Sequence, residues 1–316
     1  MQYDFFAPQR IVFGWGRRVE VGELARDLGQ RAFLISGSRT LEANGELAAV
    51  INACHQAGVD CQHVATITHE PIVADVDSAV AELQQLEATA NDVLIAVGGG
   101  SAIDLAKACS AMLTNSDGDS VQDYLEGVGR GLKVAAAPLP LLAIPTTAGT
   151  GTEATKNAVI SNFDPPFKKS LRSNLMVPKI VLVDPELGAS MPPSTTAYTG
   201  MDAITQLIES YISARAKPIP QALCAHGLEL AIPAIAAAVE EGTQREARER
   251  MAHAALLSGM AVANSGLGFA HGVAPALGVH LNVPHGLACA VMLPTALRVN
   301  RDVRLAEIAQ LGRLFA

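Results

Sequence analysis

In the first part of the chain, short apolar runs closed by glycine or polar residues alternate with longer stretches where apolar residues recur every three or four positions. The runs predict strands at Ile11–Phe13, Ala32–Ser36, Cys61–Ile67, Val93–Val97, Leu141–Ile144 and Ile180–Val183. The periodic stretches predict helices over Val19–Leu28, Leu47–Ala57 and Val73–Leu86, with another starting at Ala102. Strands alternating with helices at this rhythm imply parallel βαβ units, a doubly wound and mostly parallel sheet. Ligands of such sheets sit at the carboxyl ends of the strands. After Asp184 the pattern changes: Pro185, Pro192 and Pro193 punctuate it, and helical spacing dominates over Thr195–Ala214, Ile219–Val239, Thr243–Ala263, Gly286–Val299 and Val303–Leu314. The fold class read from this is an α/β N-terminal domain over 1–190 followed by an all-α domain over 191–316.

Two turns carry chemistry in the first half. Val93–Val97 runs into Gly98-Gly99-Gly100-Ser101 and then into a helical pattern containing Asp104 and Lys107. A strand turning through glycines into a helix leaves the first N–H groups of that helix pointing outward, in the positive field of the helix dipole. That arrangement cradles phosphate. Taken singly, it is also what an ordinary tight βα turn looks like. The second turn, Pro145-Thr146-Thr147-Ala148-Gly149-Thr150-Gly151-Thr152-Glu153, offers threonine hydroxyls to phosphate or ribose oxygens, and also reads as a solvated loop. Two such turns in one α/β pattern point to a nucleotide.

Composition narrows the class. At 316 residues the chain exceeds the usual size of one core, 49% of it is hydrophobic and 17% is charged, as suits a well-buried enzyme. The formal charge of −8 and the lack of a long basic cluster argue against nucleic acid. Cys54, Cys61, Cys109, Cys224 and Cys289 have no CxxC spacing, and they read as reduced packing residues of a cytoplasmic protein. The start, Met1-Gln2-Tyr3-Asp4, does not look like a signal peptide. The apolar segment around Leu228–Val239 is read as too short to span a bilayer, with Glu240 and Glu241 behind it. No membrane partner is expected.

The helical half holds Asp202 and Gln206 four residues apart on one face, then His271-Gly272 and Pro284-His285-Gly286. One carboxylate and two imidazoles, supplemented by an amide, can hold a divalent metal and leave a position for substrate oxygen. Each histidine also reads as a hydrogen-bonded structural residue.

Together these motifs, with Asp184-Pro185, Gly200-Met201-Asp202-Ala203 and Glu209, resemble the iron-containing, or group III, alcohol dehydrogenase family over nearly the whole chain. The resemblance implies an N-terminal dinucleotide domain, a C-terminal metal domain, and hydride transfer in a cleft between them. It assigns Asp202, His271 and His285 as metal ligands and catalytic residues. The family's fourth ligand, a histidine four residues after the aspartate, is Gln206 here, with its amide oxygen the expected replacement. A further histidine, four residues after His271, is replaced by Pro275. Related glycerol-dehydrogenase-like enzymes bind zinc with one aspartate and two histidines, so iron and zinc both remain expected. The chain stops at Leu314-Phe315-Ala316, where family members continue through further helices.

The expected cofactor contacts are Gly37, Ser38, Arg39, Gly98, Gly99, Gly100, Ser101, Asp104, Thr146, Thr147 and Thr150. NAD-preferring domains place a carboxylate after the second strand to bind the ribose and repel a 2′-phosphate. This chain has Gly37-Ser38-Arg39 there, so NADP is favoured over NAD, with Arg39 pairing the phosphate or standing as a solvated charge. The substrate expected is a small alcohol or aldehyde, and the assembly a homo-oligomer, a dimer. Lys168, Lys169 and Arg172 read as a solvated basic loop or an anion contact. The alternatives are a dehydroquinate-synthase-like lyase, or a nucleotide-binding protein without a competent metal site.

Overall fold

The computed structural model describes residues 2–314; Met1, Phe315 and Ala316, which belong to the terminal readings above, lie outside the described residues. Strands β1 (Arg10–Phe13), β2 (Arg31–Gly37), β3 (Asp60–Ile67), β4 (Val93–Gly98), β5 (Leu141–Pro145) and β8 (Ile180–Val183) form one sheet. Its order is β3-β2-β4-β5-β8-β1, every pairing parallel. Every residue of β4 and β5 is buried, as expected of central strands covered on both faces. Chain order reverses between β2 and β4, so their carboxyl ends, Gly37 and Gly98, form a topological switch point. These two glycines touch. A Cβ on Gly98 would lie 2.8 Å from the Gly37 nitrogen and 2.7 Å from the Ala102 Cβ.

Helices α1 (Val21–Arg26), α2 (Arg39–Ala43), α3 (Glu46–Gln56), α4 (Val73–Gln85) and α5 (Gly100–Met112) belong to the same unit. Phe33, Ile35, Leu94, Ala96, Leu141 and Ala143 pack with Val76, Leu83, Ile103 and Leu105 in its core. Asp184, just after β8, accepts the Gly16 and Arg18 N–H groups at 2.9 and 3.0 Å, which fixes the turn after β1.

A hairpin of β6 (Asn157–Phe163) and β7 (Pro166–Arg172) corrects the loop expected around Lys168. Lys168 and Lys169 are strand residues, Lys168 pairs with Glu70 at 2.6 Å, and Arg172 lies 3.5 Å from Glu126. Lys168, its side chain buried, is therefore committed to its ion pair, whereas Arg172 and Glu126 form a loose pair exposed to solvent. Asp104 and Lys107 of α5 hold the hairpin: Asp104 Oδ2 accepts the Val159 N–H at 3.2 Å, and Lys107 Nζ donates to the Asn157 carbonyl at 3.1 Å.

At the other end of the sheet Asp92 accepts from Arg31 Nε and Nη2, the Thr89 N–H and the Thr89 hydroxyl. Burial would raise the Asp92 carboxyl, but the Arg31 and Thr89 hydrogen bonds hold it below its usual value. A carboxyl depressed in the folded state contributes stability above its unfolded pKa, about 3.9, and loses it as pH falls. Asp92→Asn should lower the thermal midpoint at pH 7, and the gap to wild type should shrink below about pH 4. A gap independent of pH would show that the charge contributes nothing.

The second unit is helical: α6 (Pro193–Ile212), α7 (Pro218–Glu240), α8 (Arg245–Ser265), α9 (Phe269–Leu281), α10 (His285–Asn300) and α11 (Leu305–Leu314). Compact units do not divide the chain at a single point. Among the described residues the helical unit comprises 185–314 together with 2–7 and Thr147–Thr155, and the α/β unit the remainder. Asn264 ties the first segment down, donating to the Phe6 carbonyl and accepting the Phe6 N–H. The second segment lies against α8 so closely that a Cβ on Gly259 would sit 2.0 Å from the Gly151 oxygen, and Gly151 itself adopts φ +59°. Glycine is required at both positions.

Helix α7 matches the helix expected over Ile219–Val239, but its apolar stretch begins well before Leu228 and is not too short to span a bilayer. The helix runs 23 residues and contains an 18-residue stretch of mean hydropathy 1.7, long and apolar enough by length and composition to cross a membrane. Its Leu228, Ala231 and Ala234 pack with Leu207 of α6 and Ala254 of α8.

Candidate metal centre

Asp202 stands in the third turn of α6, buried, with Ala203, Leu207 and Ile208 of the same helix directed into the helical core. His271 lies in the first turn of α9, a helix that sequence patterning did not reveal. His285 opens α10, and Cys289 follows it by four residues, on the same face. One ligand atom from each of Asp202, His271, His285 and Cys289 falls within 4.8 Å of the others. Three of these, Asp202, His271 and His285, are the ligands expected from the sequence; Cys289, read there as a packing residue, is brought in by its spacing from His285.

Two contacts place these side chains. Gly286 packs on the backbone of α6: a Cβ there would lie 2.2 Å from the Tyr198 oxygen. That close approach sets His285 beside Asp202. Glu209, two turns beyond Asp202 on α6, caps α9. Its carboxylate accepts the N–H groups of Gly268 (3.1 Å), Ala270 (2.6 Å) and His271 (3.3 Å), and takes a 2.8 Å hydrogen bond from His271 Nδ1. A carboxylate at a helix N-terminus is favoured by the dipole as well.

The electrostatics follow from this burial. Burial alone would raise the Glu209 carboxyl, but His271 and the α9 N–H groups hold it below the ordinary value. Asp202 is likewise raised by burial and lowered further by His285, His271 and Cys289, for a net depression. Burial opposes charging of His271, yet its hydrogen bonds to Asp202, Cys289 and Glu209 push it well above the ordinary imidazole value. Burial pushes the Cys289 thiol up to about 11.

The donor set fits a divalent ion. With Nδ1 donating to Glu209, the Nε2 lone pair of His271 faces Asp202 Oδ1 at 3.1 Å, two acceptors that need a cation or a proton between them. His285 Nε2 is 3.9 Å from the same oxygen and 3.7 Å from Cys289 Sγ. Ligands of a tetrahedral zinc stand about 3.3 Å apart for O and N, and about 3.6 Å for S and N. A carboxylate holding the far nitrogen of a ligating imidazole, as Glu209 does, is the usual support of such a centre.

Gln206 is placed differently. Its amide nitrogen donates to the Thr150 carbonyl at 3.1 Å and its oxygen accepts the Ser258 hydroxyl at 2.9 Å, joining α6, α8 and the Thr147–Thr155 segment. Pro275 sits inside α9, and His280 is exposed on the same helix.

The expected cofactor residues of the α/β unit gather at the switch point. Gly99 caps α5 without a side chain over its first N–H groups, and Thr146 donates its N–H to the Gly98 carbonyl at 3.0 Å. Ser38 follows β2 with φ 64°, caps α2 through its hydroxyl, and puts Arg39 at the exposed start of that helix. Thr147 and Thr150 belong to the helical unit. The Asp104 carboxylate is engaged by the hairpin, as described above.

Comparison with known proteins agrees with this geometry. Residues 8–185 match iron-containing alcohol dehydrogenase, and residues 196–316 match the C-terminal part of the Fe-containing alcohol dehydrogenase family. The chain is 34% identical over 310 residues to alcohol dehydrogenase 4 of Saccharomyces cerevisiae, covering 96% of this chain and 79% of the yeast protein. It is 33% identical over 315 residues to 1,3-propanediol dehydrogenase of Klebsiella pneumoniae, covering 98% and 79%. The solved structure of alcohol dehydrogenase from Oenococcus oeni superposes with a TM-score of 0.91 at 33% identity, over 99% of this chain and 80% of that one. The chain belongs to the iron-containing alcohol dehydrogenase family, NAD(P)-dependent oxidoreductases of alcohols and aldehydes that use a divalent metal.

Proposed function

We propose that this protein interconverts a small alcohol and its aldehyde by hydride exchange with NADP(H), at a divalent ion held by Asp202, His271 and His285. The observation that carries the reading is His271, whose Nδ1 is committed to Glu209 and whose Nε2 is aimed at Asp202 Oδ1. When bound, a divalent ion supplies Lewis acidity that polarises a carbonyl or lowers the pKa of an alcohol. The chain's own residues do the rest. Glu209 fixes the tautomer of His271, and Asp202 neutralises positive charge in a buried setting. Gly98 to Ser101 receive the dinucleotide phosphates at the α5 N-terminus. Gly37, Ser38 and Arg39 receive the adenosine ribose, where Arg39 favours a 2′-phosphate. Thr146, Thr147 and Thr150 complete the cofactor contacts, and Asp104 steadies α5 through its bond to Val159.

The acidic balance of −8 supports a protein without a nucleic-acid partner. Packing of α7 against α6 and α8 supports its reading as a core helix.

The test is a side-by-side titration of NADPH and NADH by fluorescence, with an aldehyde-reduction assay on wild type and Asp202→Ala under metal-supplemented, oxygen-free conditions. Tighter NADPH binding, with turnover and metal both lost in Asp202→Ala, is expected. Cofactor binding without metal or turnover in the wild type would sink the mechanism, and a strong NADH preference would sink the role of Arg39.

A further inference from the structure

We infer that the Cys289 thiolate is the fourth protein ligand of this metal, and that Gln206 stays outside the coordination shell as the clamp of the Thr147–Thr155 segment. The inference rests on the metal site proposed above. Three observations carry it.

First, His285 and Cys289 are one turn apart on α10, so a single helix face presents an imidazole and a thiol together. Cys289 Sγ lies 3.7 Å from His285 Nε2, close to the about 3.6 Å between sulfur and nitrogen ligands on one tetrahedral ion. Second, Cys289 is fully buried, and its sulfur lies within 4.8 Å of ligand atoms of both Asp202 and His271, the other two members of the group. A buried thiol among a carboxylate and two imidazoles is a donor set, whereas a packing cysteine is surrounded by carbon. Third, Gln206 is already spent. To turn its oxygen toward a metal it would have to give up the Ser258 hydroxyl, the Thr150 carbonyl or both, all three groups being at least partly buried. A buried amide whose partners are removed costs more than a weak oxygen ligand returns.

The centre is therefore a set of one oxygen, two nitrogens and one sulfur. Binding displaces the thiol proton to solvent, leaving the sulfur as thiolate. Thiolate is a soft donor, so this set favours zinc and cobalt over ferrous iron more strongly than an all-imidazole and carboxylate set does.

Cobalt(II) reports directly on sulfur ligation. Metal-stripped full-length protein, titrated with cobalt(II) without oxygen, should take up one equivalent and develop a near-ultraviolet thiolate-to-cobalt charge-transfer band beside the visible ligand-field bands. Cys289→Ser should keep the ligand-field bands, lose the charge-transfer band, and bind zinc more weakly by at least the about 10–100-fold that loss of an outer-shell partner costs. Gln206→Ala should retain the charge-transfer band whatever it does to loop order. Stoichiometric cobalt in wild type without the charge-transfer band would overturn the inference while leaving the three-ligand site in place. No stoichiometric cobalt in protein of native circular dichroism would overturn both the inference and the metal reading beneath it. The wild-type spectrum decides between these outcomes even if the serine variant folds poorly.

Discussion

Gly286→Ala is expected to reduce turnover by about 10²-fold or more, and to lower stability by about 1–3 kcal/mol, although it adds a single methyl group. The added Cβ would fall 2.2 Å from the Tyr198 oxygen and 2.7 Å from its carbonyl carbon. Both are backbone atoms of α6 and cannot rotate aside, so α10 has to move away. His285 and Cys289 ride on α10 while Asp202 stays on α6, and a shift of about an ångström separates the donors. The contrast is the other glycine that follows a site histidine. A Cβ on Gly272 would meet nothing within 4 Å, and alanine in a helix interior is favoured over glycine by roughly 0.5–1 kcal/mol. Gly272→Ala should therefore keep its metal and raise its thermal midpoint slightly. Metal analysis, calorimetry and aldehyde reduction on the two variants check the pair. Wild-type metal content and turnover in Gly286→Ala would show that the α6–α10 contact does not set the site.

Much of this organisation was legible in the chain. The six sheet strands and five of the six long helices of the second half announce themselves by continuous burial or by apolar period, because each packs a uniform face. What was missed lacks such a face. Hairpin β6–β7 mixes Asn157, Ser161, Lys168 and Lys169 with Ala158, Ile160 and Leu171, and its ordering comes from Asp104, Lys107 and Glu70, distant in sequence. Helix α9 contains Gly272, Pro275 and Gly278, which argue against a helix locally, and it is held instead by the Glu209 carboxylate at its N-terminus. The segments 2–7 and Thr147–Thr155 join the helical unit through tertiary contacts that no local pattern carries.

The site divides in the same way. Asp202, His271 and His285 were readable as residue types that favour metals, and the family resemblance put them together. Cys289 carried a usable signal, four residues after His285, that a count of CxxC motifs overlooks. Gln206 shows the opposite case. Its spacing from Asp202 is that of a ligand, but spacing fixes only which helix face a residue occupies, and its amide is claimed there by Thr150 and Ser258. Glu209 could be quoted as part of a motif, yet its work is visible only where α9 meets α6.

That work sets the second large effect. Glu209 satisfies three α9 N–H groups and orients His271, so Glu209→Ala strands buried donors and removes the acceptor of the His271 Nδ1 hydrogen bond. Each buried donor left without an acceptor costs about 1–3 kcal/mol, together enough to release α9 from α6 in a protein of ordinary stability. Loss of fold would then mask loss of metal, and Glu209→Gln separates the two. Glutamine keeps the length and one acceptor oxygen for the helix N-terminus, but it is neutral and places an NH₂ where Gly268, His271 or Ala270 offers a donor. Glu209→Gln should remain folded with a reduced thermal midpoint and bind zinc about 10–100-fold more weakly, because His271 loses the carboxylate that fixes its tautomer and raises its basicity. Competition against a chromogenic chelator measures the zinc affinity, and circular dichroism the fold. A folded Glu209→Gln protein with zinc affinity within about twofold of wild type would mean that Glu209 serves α9 alone and has no part in holding the metal.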